Sequence, residues 1–152
     1  MNVGINSKLI DLIVFASANI VNILTAAIFL LRVKGNEKAE YLIGIVVVAM
    51  ILPLASAIIF NASEKRGWWS VSLPAVLLAF LLAELLLDYI LKLEFRTTPL
   101  LWPYLILFYL GSMGMIGYSY IIGRVFGVVT LCTYFINLLA AWYSYSALGN
   151  GH

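Results

Sequence analysis

The sequence predicts an all-α integral membrane protein, a bundle of five transmembrane helices joined by short loops, and three observations predict it. Of its 152 residues 64% are hydrophobic and only 11% charged, against roughly 45–50% and about 25% in an ordinary soluble domain. A chain with so little polar surface cannot cover itself in water. Its charges leave five neutral runs, 12–31, 41–63, 67–83, 97–123 and 125–152, and a helix needs about 20 apolar residues to cross a hydrocarbon layer about 30 Å thick. None of these runs alternates apolar and polar residues as the roughly ten-residue strands of a membrane barrel do. Helices are the other structure that satisfies its own backbone in lipid.

The first span is expected at 10–31. Its apolar part exceeds the roughly 7–15 residues of a secretory signal core, and Asp11 stands where such a leader carries positive charge, so it reads as a retained span. A charged turn, RVKGNEKAE at 32–40, holds Gly35 and Asn36 and leads into the second span, 41–60. The third is expected at 68–91, the fourth at 101–122 and the fifth at 125–145, with Gly123 and Arg124 as the tightest turn. Connections this short leave no room for an extramembrane domain, so 1–152 reads as one transmembrane domain. They also make neighbours in sequence antiparallel neighbours in space.

Five spans place the N-terminus with the second and fourth loops on one side, called side A, and the C-terminus with the first and third loops on the other, side B. Lys8, Lys65, Arg66 and Arg124 fall at side A; Arg32, Lys34, Lys38, Lys92 and Arg96 fall at side B. By a margin of one charge the positive-inside rule names side B, and the C-terminus with it, as cytoplasmic. The expected location is a cell membrane, the cytoplasmic membrane of a prokaryote. Trp68, Trp69, Tyr118 and Tyr120 gather at side A, and Tyr41, Trp102, Tyr104, Trp142, Tyr143 and Tyr145 at side B. They read as interfacial anchors before any ligand cage.

Several functions lack their equipment. The only cysteine is Cys132 and the only histidine His152, which removes disulfide scaffolds, thiolate metal sites and bis-histidine haem; no metal and no cofactor is expected. A net charge of +2 without a basic, aromatic-interleaved patch argues against nucleic acid. There is no Walker loop, nucleophile elbow or HExxH pair. An enzyme would run on Glu84, Asp88 and tyrosines alone, so the chain reads more readily as a non-enzyme.

Glu84 is the residue on which function would rest. It lies about 13 residues beyond Val71, roughly 20 Å from side A and still about 10 Å inside the hydrocarbon. An ionisable group there is costly and faces the bundle interior or a wet cavity. Asp88 and Lys92 follow at successive steps of four, so the three side chains share one helix face climbing to side B. That face is either a short polar path for a proton or cation, or an interfacial Asp88–Lys92 pair with Glu84 bonded to a neighbouring helix.

Depth counting adds Asn22, Tyr109 and Asn137, and the carbonyl of Ala49 that Pro53 cannot bond, near the level of Glu84. Thr130, Thr133, Asn137, Ala140 and Ser144 alternate steps of three and four, as do Asp11, Phe15, Ala18, Asn22 and Thr25. Such stripes pack membrane helices through small residues and cross-helix hydrogen bonds. Gly111, Gly114 and Gly117 give the fourth span a close-contact face or a hinge.

The leading expectation is a small multi-pass protein that binds or passes a small solute, proton or cation through a polar cluster centred on Glu84. Two others stand beside it: a non-catalytic subunit packing a membrane protein or lipid through its small-residue faces, and a lipid-modifying enzyme at Asp88, Lys92 and Arg96. The lipid bilayer is the expected partner, with a homo-oligomer or another membrane protein as a further one.

Overall fold

The long neutral runs become long helices because a backbone surrounded by apolar side chains has only its own carbonyls to bond. In the computed structural model, which describes residues 3–149, six α-helices are α1 Val3–Val33, α2 Glu37–Ala49, α3 Ile51–Ser63, α4 Trp68–Glu84, α5 Leu101–Ile122 and α6 Arg124–Leu148, with no strand among those residues. His152 lies outside the described residues. Helices α2 and α3 are two halves of one rod interrupted at Met50, and α4 continues into a π-helical turn, Leu85–Ile90. Joined in this way, five helices are long and apolar enough to cross a membrane: Asn6–Val33, Glu37–Ser63, Trp68–Ile90, Leu101–Ile122 and Arg124–Leu148. The expected spans agree with them to within a few residues.

Local chemistry sets the ends. After α1, Gly35 takes a left-handed conformation (φ +68°), its N–H bonds Arg32 O at 3.0 Å and the Asn36 N–H bonds Leu31 O at 3.1 Å. This paired closure satisfies carbonyls that the helix end would orphan. Asn36 then caps α2 by accepting from the Ala39 N–H at 3.2 Å. The same closure follows α3, with Lys65 left-handed (φ +50°) and bonds Lys65 N to Ala62 O and Arg66 N to Asn61 O. The break at Met50 falls where Pro53 has no N–H to return to Ala49; the Met50 N–H bonds Val47 O instead, at 3.1 Å. At the tight turn Gly123 alone separates α5 from α6, and Arg124, expected in the turn, is the first residue of α6.

The helices close into a ring: α1 packs on α6 and on the α2–α3 rod, α3 on α4, α4 on α5, and α5 on α6. Helix α1 also touches α5 across the ring. The core between them holds Val14, Ala18, Val21, Leu54, Leu77, Leu81, Met115 and Tyr118. Gly111 sits in a close contact with the backbone of a neighbouring helix, since a methyl group there would lie 3.1 Å from Leu77 Cα of α4. The outer face is apolar as well, with Leu52 72%, Val125 74% and Leu139 62% exposed.

Candidate functional site

Three polar layers cross this apolar bundle. At side A, Asp11 of α1 receives both arms of Arg66, each at 3.0 Å, and the Tyr118 hydroxyl of α5 at 2.7 Å. Arg66 also donates to Asn61 Oδ1 at 2.8 Å, and Asn61 donates to Ser70 O at 2.9 Å. The bond from Asp11 holds the Arg66 guanidinium above its usual pKa against the opposing effect of burial. Every named group in this clasp has a partner, and it ties α1, α3, α4 and α5 together.

In the middle layer α1 and α6 share a seam. Asn19 donates to Thr130 Oγ1 at 3.1 Å and accepts from the Thr133 hydroxyl at 2.7 Å, Asn22 donates to Thr133 Oγ1 at 3.2 Å, and Thr130 donates to Ser119 of α5 at 2.8 Å. Asn22, Thr130 and Thr133 thus serve helix contact. Asn19 was not singled out from the sequence, although it lies one turn from Asn22.

The side-B layer is different, because it surrounds a cavity of about 420 Å³. All five span-length helices line it, through residues such as Thr25 of α1, Val47 of α2, Glu84 of α4, Tyr109 of α5 and Ser144 of α6, and Arg96 joins from the loop before α5. The volume falls in the roughly 300–1,000 Å³ range of small-molecule sites. Glu84 accepts a short hydrogen bond from the Tyr104 hydroxyl.

The loop at 91–100 builds one wall. Lys92 adopts a left-handed conformation (φ +50°), and Phe95, 1% exposed, plugs inward against the Tyr104 ring at 4.8 Å. That plug draws its neighbour Arg96 onto Asp88 in a two-armed pair at 3.0 and 2.5 Å. Burial is the largest influence on Arg96 and disfavours its charge, but the bond to Asp88 together with the charges of Asp88, Tyr104 and Glu84 outweighs it and leaves the guanidinium above its ordinary pKa. The expected Asp88–Lys92 pairing on one helix face is therefore replaced. The helix widens to a π-turn after Glu84 and ends at Ile90, so Lys92 leaves the face, is exposed, and yields Asp88 to Arg96.

Of the residues singled out from the sequence, the fold brings Glu84 and Tyr109 onto one cavity wall and sets Asp88 behind Arg96. Asn22 stays in the seam. Asn137 is 1% exposed, and neither atom of its amide has a hydrogen-bond partner among the described residues. It lies on the same α6 face as Ala141 and Ser144, which line the cavity, and the Ser144 hydroxyl is unpartnered too. Gly111 and Gly114 face Leu77 and Leu73 of α4. The close-contact face of the fourth span is met within the chain by α4; Gly117 is looser, with only Leu73 Cδ1 at 4.0 Å.

Tyr104, Phe80 and Phe108 are cavity residues that sequence reasoning did not assign to a site, and Arg96 entered only as part of an interfacial enzyme site with Asp88 and Lys92. Tyr104 was legible only as a belt aromatic. Compared with known proteins, the chain matches no family, no curated protein and no solved structure.

Proposed function

We propose that this chain is a multi-pass membrane protein that binds or passes a small solute, proton or cation at Glu84, within the cavity in the side-B half of its bundle. The apolar outer face supports the membrane placement, since exposed leucine and valine around a whole ring of helices are soluble in hydrocarbon and costly in water. One observation carries the functional part. The ionisable groups on the cavity wall, apart from tyrosines, are Arg32, Arg96 and Glu84. Arg32 is paired with Glu40 at 2.5 Å and Arg96 with Asp88 at 2.5 Å, whereas Glu84 makes no ion pair of its own among the described residues: the Tyr104 phenol holds it, and Asp88 and Arg96 act on it through space. A carboxyl facing an apolar cavity without its own counter-ion is a receptor for a proton, a cation or a hydrogen-bond donor.

Proteoliposomes carrying an internal pH indicator test this reading. An imposed proton gradient, with and without added organic solutes, should relax faster with wild type than with Glu84→Gln. Equal relaxation for both proteins under every condition, with Glu84→Gln shown to be folded, would sink it.

A further inference from the structure

The lining of the cavity narrows what Glu84 receives. Four aromatic contacts run in series around it: Phe95 to Tyr104 at 4.8 Å, Tyr104 to Phe80 at 5.3 Å, Phe80 to Phe108 at 5.0 Å and Phe108 to Tyr109 at 5.3 Å between ring centroids. All but Phe95 belong to the cavity wall. The two guanidiniums are already spent, each on its own carboxylate and each over a ring, Arg32 over Phe29 at 5.7 Å and Arg96 over Phe95 at 4.9 Å. With Glu40 and Asp88 bonded to them, Glu84 is the acid left without an ion pair among the described residues.

We propose that the ligand of this cavity is an organic ammonium ion with an apolar body, its charge set against Glu84 among Phe80, Tyr104 and Phe108. The inference rests on the reading of Glu84 as a binding group and adds the ligand class. A cation near aromatic rings gains from their negative faces within about 6 Å, the more so when it is desolvated. An apolar body fills the remainder, whose wall is mostly leucine, isoleucine and aromatic side chains. Other classes fit worse. A hard metal cation takes about six oxygen ligands, and no group of three acidic, histidine or cysteine side chains among the described residues is placed to hold one. An anion meets one carboxylate more than there are guanidiniums to offset it. A bare proton gives no reason for a volume of about 420 Å³.

Three aromatic probes of different charge separate these classes in phosphatidylcholine nanodiscs: cationic benzyltriethylammonium, neutral benzyl alcohol and anionic benzenesulfonate. Calorimetry on the wild-type protein should find one site for the cation, about tenfold tighter than for either of the others. Glu84→Gln should weaken the cation about tenfold and Phe108→Leu about threefold, and in both the preference for the cation over benzyl alcohol should shrink. A cation held no more tightly than benzyl alcohol overturns the proposal, as does undiminished cation binding by Glu84→Gln. The ranking of the probes uses unaltered protein, so a poorly folded variant does not leave the question open. If cation selectivity fails while Glu84→Gln still slows proton relaxation in liposomes, the ligand class falls and Glu84 remains a binding group. If both fail, the reading of Glu84 falls as well.

Discussion

The two ends of the bundle use the same three kinds of side chain to opposite effect. At side A a carboxylate, an arginine and a tyrosine converge on one point: Asp11 takes both arms of Arg66 and the hydroxyl of Tyr118. At side B a tyrosine reaches Glu84, but the arginine goes to the acid four residues further on, Asp88. The first arrangement closes on itself and offers nothing to a ligand. The second leaves one carboxyl short of a cation and sets it on the wall of a cavity. What separates the closed clasp from the proposed binding site is which acid the arginine meets, and the loop whose buried Phe95 packs on Tyr104 sets where Arg96 lands.

The largest expected effect tests the clasp. Arg66→Leu strands the Asp11 carboxylate with only Tyr118, and removal of one partner from a largely buried pair should lower unfolding free energy by about 3 kcal/mol, read as a loss of thermal stability in detergent. Glu84 function should survive in whatever fraction stays folded. The folded pKa of Arg66 lies above its ordinary value, so its contribution is complete at all lower pH and is lost only as pH rises through that raised value. Titration of Arg66 should therefore leave stability flat between about pH 5 and 9.

A second test falls on the contact that lets α4 and α5 approach. Gly111→Leu drives a side chain into the Leu77 backbone and should cost about 2 kcal/mol, whereas Gly117→Ala, with nothing nearer than 4.0 Å, should change stability by less than about 0.5 kcal/mol. Equal damage from both would mean that the close approach is misplaced.

Smaller effects sharpen the side-B half. Asn137→Leu removes two buried, unpartnered polar atoms and should raise stability by about 1 kcal/mol; a fall instead would show that the amide is bonded by water or ligand. Glu84→Gln keeps shape and an acceptor for Tyr104, so its stability should stay within about 1 kcal/mol of wild type, while proton relaxation and binding suffer.

Much of this was legible from sequence for physical reasons. A span of about 20 apolar residues is a local property, so all five long helices could be placed from their neutral runs. Glu84 was visible because it lies deep within its span, far from the charged loops, and the face shared by Thr130, Thr133 and Asn137 because helical spacing is fixed. Partners were not legible. Tyr104 and Arg96 reach the Glu84–Asp88 face from a later helix and from a loop that folds back, and nothing local to 84–92 marks the π-turn that separates Lys92 from Asp88. The clasp at side A was missed for the same reason: Asp11 and Arg66 stand 55 positions apart, and each alone reads as an interfacial charge.

The contrast between the ends is most directly tested by labelling with an apolar carbodiimide, which adds to a carboxyl that it can reach and that no cation holds, followed by peptide mass spectrometry. Glu84 should take the label, benzyltriethylammonium should protect it, and Asp11, locked by Arg66, should stay unmodified. Label on Asp11 at the rate of Glu84, or a Glu84 that remains untouched, would contradict the assignment of side A as clasp and side B as site.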